Sequence, residues 1–283
     1  MRVALAQLDP IVGDITGNVQ RLTETVEAVA DQEPQLVVFP ELYLVGYPPR
    51  DLLERPSFLD NVERGIARVC DASRRYPQIS ILFGAPRRHT GRDGRGLHNA
   101  AVLVSNGLIV GEAQIRLLPV YDVFDEERYF DPGTEAHVLD LAGARLGVHI
   151  CEDAWNDSTL WAPRRYYASD PVAELAAQGA DLLINISASP FCMGKERLRY
   201  TLMSQHAARH GLPFLYVNQV GGNDELVFDG RSLAIDRYGF PIATLDGFCE
   251  QVAIVETEAV GSGEPYQPLD EVASVHDALV LGL

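Results

Sequence analysis

No pair of cysteines in this chain has the spacing of a metal knuckle or of a disulfide framework. The four that occur, Cys70, Cys151, Cys192 and Cys249, are scattered, and no C-x-x-C is present. That excludes a zinc ribbon or a disulfide-stapled scaffold and fits a reducing, cytoplasmic setting. No apolar run approaches the roughly 18 residues of a membrane span. The apolar part of residues 1–8 is too short for a signal peptide. Basic charge is scarce: 23 Lys and Arg against 40 Asp and Glu leave a net of −17 over 283 residues. A field of that sign repels phosphate backbones and anionic lipid heads, so neither nucleic acid nor a membrane is an expected partner. Internal repeats and low-complexity tracts are also lacking. With 47% hydrophobic residues, what remains is an ordinary globule, long enough for one large domain or two small ones.

What is present is organised around residues 146–155, an apolar, β-branched run that stops at Cys151-Glu152-Asp153. A cysteine there ends a buried strand and is exposed where the next turn begins, as attack on a carbonyl requires. Upstream, residues 3–8 read as a first strand and 16–31 as a helix with Val19, Leu22, Val26 and Val29 on one stripe. Residues 36–39 form a short buried strand that leads into Pro40-Glu41. A second helix fits 57–74, followed by strands near 79–84 and 98–105. Asn106-Gly107 marks a hairpin into the strand 108–115. Residues 117–134 are irregular and rich in aromatics and acids, which is typical of a functional loop.

Downstream of Cys151 the pattern gives an irregular stretch, a helix near 171–178 and a strand at 181–186. The small-residue segment Ser187-Ala188-Ser189-Pro190 follows. A helix at 195–210, a strand at 213–218, a turn at 221–224 and strands near 231–235 and 251–255 complete the body. Alternating strands and helices with hairpins mixed in imply α/β architecture with mixed sheets. Residues 261–265 read as a linker, and 269–283 have helical periodicity.

Glu41, the 117–130 loop and Cys151 all lie at strand exits, where ligands bind in α/β sheets. A cysteine with a carboxylate base suggests acyl transfer: the acid takes the thiol proton and the thiolate attacks a carbonyl. A free thiol is mostly protonated at neutral pH, so the base is required. Taken singly, each residue has a plainer reading. Cys151 alone would be an inert core cysteine, Glu41 a strand-end acid and Lys195 a solvated lysine at a helix start. His149 reads as a satisfied core histidine, Cys192 as pocket wall or surface, and Cys70 and Cys249 as structural.

Three stretches shift that balance: Phe39-Pro40-Glu41-Leu42, Leu118-Pro119-x-Tyr121 running on to Phe124-Asp125-Glu126, and Gly147-Val148-x-Ile150-Cys151-Glu152-Asp153. Together they resemble the nitrilase, or carbon–nitrogen hydrolase, superfamily. Two further segments, 185–195 with Arg199 and 217–230, make residues 1–260 similar to the glutaminase domain of glutamine-dependent NAD synthetases. The resemblance implies an α-β-β-α sandwich that assembles into a homo-oligomer and needs no cofactor or metal. It implies Glu41 as general base, Cys151 as the nucleophile carrying a γ-glutamyl thioester, and Glu126 as a second glutamate that holds the site together. Tyr121, Ser189 and Lys195 would bind glutamine, with Tyr47 and Phe124 lining its pocket. Ammonia would pass to a synthetase domain, whose opening helix residues 278–283 resemble; the alternative for 261–283 is a docking tail.

One departure bears on activity. The family places a lysine four residues before the loop proline, and that position is Ile115. Isoleucine cannot donate to an oxyanion, and losing such a donor costs about two to three orders of magnitude in rate. Arg116 would substitute only through a β-bulge that shifts the register by one. A Gly/Ser-rich loop to cradle ATP pyrophosphate is also lacking, so this chain alone is not expected to make NAD. Three functions follow: a glutaminase feeding NAD synthesis, a weakened or non-catalytic relative acting as an interaction or regulatory domain, and a stand-alone amidase with another small amide.

Overall fold

The computed structural model describes residues 1–91, 93–157 and 167–283. Residues 158–166, within the expected irregular stretch, lie outside the described residues. β1 (Arg2–Gln7) is buried from Val3 onward. α1 (Ile15–Val29) starts where the Asp14 side chain accepts the Gly17 N–H at 2.9 Å, and it buries the expected stripe. β2 (Leu36–Val38) runs parallel to β1. α2 (Pro56–Ser73) opens on a proline, whose fixed φ suits a first turn. β3 (Ser80–Arg88) is parallel to β2, and β4 (Leu97–Ser105) and β5 (Leu108–Gln114) close the sheet as an antiparallel hairpin. Asn106 and Gly107 take φ of 46° and 85° at its tip, the conformation a tight hairpin demands.

The chain then builds a second sheet on the same plan. β6 (Leu139–Leu141) pairs with β7 (Ala144–Ile150), α3 (Pro171–Ala177) leads to β8 (Leu182–Ser187), and α4 (Lys195–His210) leads to β9 (Phe214–Asn218). A small hairpin, β10 (Val220–Asn223) with β11 (Leu226–Asp229), stands apart. β12 (Leu233–Ile235) and β13 (Pro241–Thr244) finish the sheet, and β14 (Gln251–Glu256) returns to pair antiparallel with β1. The orders are β14-β1-β2-β3-β4-β5 and β6-β7-β8-β9-β12-β13, the second as read from β6. Each sheet has three parallel strands flanked by one antiparallel strand on one side and two on the other. The sequence has no repeat to announce this likeness.

α1 and α2 cover the outside of the first sheet, and α3 and α4 that of the second. The inner faces meet through β1 against β9 and β4 and β5 against β7, with one apolar core drawn from both sheets. The expected α-β-β-α sandwich with mixed sheets is the observed architecture. Differences are local. The expected turn at 221–224 is the β10–β11 hairpin, and β6 and β13 were not foreseen because three or four residues carry too little periodicity to register. The tail is held to the body: Tyr266 stacks on Tyr200 at 4.2 Å, the Gln267 carbonyl accepts from Arg231 at 2.8 Å, and α5 (Glu271–Leu281) packs on β11. Among the described residues no helix is long and apolar enough to cross a membrane.

Candidate active site

Cys151 follows the last residue of β7 with φ of 42°, a left-handed conformation rare for a side chain with a Cβ. A 3-10 turn over Cys151–Ala154 begins there. Asp153 fixes this turn. Its Oδ1 accepts the main-chain N–H groups of Arg116 and Leu117 at 2.9 Å each, and its Oδ2 accepts that of Ile150 at 3.1 Å. One carboxyl thus ties the exit of β7 to the loop after β5. Burial pushes Asp153 up to about 7.

Glu41, three residues beyond β2, comes from the other sheet and is 2% exposed. Gly84 on β3 lets it approach: a Cβ there would lie 2.0 Å from the Leu42 nitrogen and 2.6 Å from the Glu41 carbonyl carbon. The Glu41 carboxyl accepts Asn99 Nδ2 at 2.7 Å and the Ala188 N–H at 2.8 Å. The Cys151 thiol and this carboxyl act on each other: the thiol pulls the pKa of Glu41 down, and the carboxyl pushes that of Cys151 up. Glu126 lies beside Glu41, with Oε1 accepting the Tyr47 hydroxyl at 2.8 Å, while Oε2 and Asn99 Oδ1 have no partner among the described residues. Burial raises the pKa of both glutamates, and repulsion from Glu126 raises that of Glu41 further. The pair therefore holds a proton near neutrality. Burial and the neighbouring acids Glu41 and Glu152 also hold Cys151 in its thiol form, against a pull from Lys195.

Cys151 opens into a cavity of about 630 Å³. Tyr121, Phe124, Ser189 and Lys195, four of the expected ligand-binding residues, line it. Tyr47 does not: its ring lines a separate cavity of about 290 Å³, and its hydroxyl is committed to Glu126. Glu152, at the wall of the larger cavity, accepts the hydroxyls of Tyr121 at 2.7 Å and Tyr167 at 3.1 Å. Lys195, the first residue of α4, sits over the rings of Trp155 at 5.6 Å and Phe124 at 6.0 Å. The cavity therefore carries a cation and an anion beside a thiol.

Ile115 continues the β4–β5 ladder, with its N–H on the Asn99 carbonyl at 2.9 Å. Cross-strand partners share a face, and the Asn99 side chain reaches Glu41. The Ile115 side chain, 1% exposed, therefore projects on the face of the acid pair. Arg116 does not take its place. The one register shift between β4 and β5 falls at Leu103/Val104, not near residue 115, and the Arg116 guanidinium is bound to Glu174 on α3. The bulge that Arg116 would need is absent here, and the arginine stays on the opposite side of the strand.

A strand-end thiol under the influence of a buried acid from the opposite sheet is one sign of identity; comparison with known proteins supplies the other. The carbon-nitrogen hydrolase family matches residues 2–261. The chain belongs to that family. The chain is 38% identical over 290 residues to the glutamine-dependent NAD(+) synthetase of Synechocystis sp., covering 99% of this chain and 51% of that one. The corresponding Thermotoga maritima protein is 38% identical over 259 residues, covering 91% and 42%. The chain thus spans about half the length of these relatives. Among solved structures, glutamine-dependent NAD+ synthetase from Acinetobacter baumannii matches with a TM-score of 0.84 and 32% identity over 99% of this chain and 50% of that one. An amidase from Nesterenkonia sp. AN1, solved after Michael addition of acrylamide at its active-site cysteine, matches with a TM-score of 0.76 and 25% identity, covering 90% and 92%.

In this carbon–nitrogen hydrolase several site residues went unread in the sequence. Asn99 had a signal, an amide inside the apolar run of β4 that the core tolerates only with partners. Glu152 was visible beside the cysteine but had no stated partner; Tyr167 had no signal at all. Cys192 is exposed and lines the cavity wall, whereas Cys249 is exposed rather than structural. His149 is in the core, but not satisfied. Its Nδ1 lies 3.2 Å from the Gly147 carbonyl, and its Nε2 finds no partner among the described residues. Among the described residues no three His, Cys, Asp or Glu side chains group to hold a metal ion.

Proposed function

We propose that this chain is a glutamine amidohydrolase unit that releases ammonia for NAD synthesis, the last step belonging to a synthetase unit such as the relatives' names imply. The observation that carries the reading is the cavity's charge pattern: Lys195 and Glu152 suit the α-carboxylate and α-ammonium of a free amino acid, with Cys151 in the same cavity for the side-chain amide. A neutral small amide would have no use for either charge, which sets the stand-alone amidase reading behind this one.

In the reaction, the Cys151 sulfur forms a bond to the amide carbon while the thiol proton passes to the Glu41 carboxylate. Glu41 returns the proton to the nitrogen as the C–N bond breaks, and ammonia leaves. Water then attacks the γ-glutamyl thioester, Glu41 takes its proton, and glutamate is released with the thiol restored. The donors left for the oxyanion are main-chain N–H groups at the head of the 3-10 turn, which lack partners within the turn. Asn99 and the Ala188 N–H hold the base in place.

A second reading rests on Ile115. Its buried side chain supplies neither donor nor charge where the family has lysine, which favours a unit that binds and acylates but turns over slowly. One experiment separates the two. The protein is incubated with glutamine and hydroxylamine, and both γ-glutamyl hydroxamate and the mass of the Cys151 peptide are followed. Steady hydroxamate formation supports the hydrolase; a thioester that accumulates without turnover supports the slow unit. No adduct and no hydroxamate would sink both.

A further inference from the structure

Among the described residues Lys195 is the one cation lining the cleft, and its ammonium makes no ion pair there; its contacts are the Trp155 and Phe124 rings. One turn along α4 is Arg199, 1% exposed. Residues four apart on a helix share a face, and like charges so placed repel. Arg199 is neutralised by Asp229 at the end of β11: Nη2 lies 2.6 Å and 2.5 Å from the two carboxylate oxygens. Its Nη1 reaches the Gly230 carbonyl at 3.3 Å and the Tyr216 hydroxyl at 3.4 Å.

The same ion pair also supports the other wall of the cleft. Asn218 Nδ2 donates to the Gly230 carbonyl at 3.0 Å and to the Ser189 carbonyl at 3.2 Å, and its Oδ1 accepts the Ser189 N–H at 2.8 Å. A chain of buried bonds thus runs from Arg199 through Gly230 and Asn218 to Ser189. We propose that Arg199 and Asp229 are positioning residues that keep Lys195 turned to the cleft, and so set its preference for a ligand bearing an anionic group. The proposal rests on the reading of Lys195 as the carboxylate-binding residue.

Charges on both sides act on the Lys195 ammonium. Burial lowers its pKa first and the Arg199 charge lowers it next; Cys151, Asp229 and Cys192 pull it back up. Glu152 faces it as well. Taking away the arginine charge alone leaves a buried carboxylate whose charge acts on Lys195. The ammonium is then drawn back from the cleft. Removing both charges leaves no such pull, and buried ion pairs replaced whole by apolar side chains are commonly tolerated.

The test compares alkylation of Cys151 by anionic iodoacetate and by neutral iodoacetamide, resolved at the Cys151 peptide so that exposed Cys192 does not interfere. Lys195→Met sets the floor of the iodoacetate-to-iodoacetamide rate ratio. Arg199→Met is expected to lower that ratio about tenfold, the scale of one close charge pair. Arg199→Met/Asp229→Leu is expected to bring it back to within about threefold of the starting protein. A purely structural loosening would move both reagents together and leave the ratio alone. An unchanged ratio in Arg199→Met, or a double variant as low as the single one, overturns the proposal. Should Arg199→Met fail to fold, Arg199→Lys is expected to keep the ratio, and a loss there overturns it equally. Failure of the unaltered protein to form a thioester from glutamine would instead count against the amidohydrolase reading, whatever the ratio does.

Discussion

Ile115 sets an apolar side chain beside two buried carboxyls that, among the described residues, have no cation to share. Desolvation raises Glu41 and Glu126, and repulsion from Glu126 raises Glu41 further, so the base form of Glu41 is scarce below neutrality and grows as pH rises. Alkylation of Cys151 by iodoacetamide should therefore climb with pH through the neutral range. In Ile115→Lys a cation favours both carboxylates, so the acid limb of that profile should move to lower pH by about one unit or more. Glutamine hydrolysis should also rise by about two orders of magnitude as an oxyanion donor is regained. A profile that stays put, with no gain in hydrolysis, would mean that residue 115 does not face the acids. His149 gives a second pH handle. Burial lowers its pKa to about 3, so it is neutral when folded, whereas the unfolded chain takes up a proton below about 6.5. Its contribution is neutral above that value and destabilising as pH falls from about 6.5 toward 3, reaching about 4 kcal/mol. Urea unfolding of His149→Gln against the unaltered protein should show the difference shrinking on the acid side as that penalty is lost. A gap independent of pH would show that His149 does not titrate between the two states.

The elements that carry the site are short, and most of their work is done at their ends. β2 has three residues, yet it delivers Glu41 because Gly84 on β3 allows the turn after β2 to pass within a Cβ's reach. Gly84→Ala should force that turn outward, lowering stability by about 3 kcal/mol and cutting Cys151 alkylation as the base is displaced. Alkylation as fast as in the unaltered protein would mean that the turn absorbs the methyl without moving Glu41. How much of this was legible depends on the kind of signal. Strands ending in Glu41 and Cys151 were readable because apolar runs that stop at a polar residue have few other meanings. The stripe of α1 and the Asn106-Gly107 hairpin were readable for similar reasons. The Asp153 clamp and the Asn99 bridge were not, since each joins residues more than thirty positions apart and nothing in the local pattern names the partner. The separation of Tyr47 from the main cavity was hidden for the same reason. Its place depends on where Glu126 lies, and that is a property of the folded loop.

At the scale of the molecule, Cys151 and Glu41 come from different sheets, joined where the Glu41 carboxyl accepts the Ala188 N–H at 2.8 Å from the segment after β8. Two sheets of like plan invite the idea that they unfold one after the other. The core argues against it, because apolar residues of β1 to β5 and of β7 to β9 form one cluster between the layers, and β14 returns to the first sheet only after the second is complete. Neither sheet keeps a buried inner face without its neighbour, and exposing that face would forfeit the hydrophobic stabilisation of both. The chain should therefore unfold in urea as one transition. Far-UV circular dichroism, which sees both sheets, and loss of the pH-dependent alkylation of Cys151, which needs the sheets apposed, should share a midpoint. Loss of that alkylation profile at a urea concentration well below the circular dichroism midpoint would show that the layers part while each sheet still stands. The site would then be a loose junction between two autonomous halves and not the product of a single core.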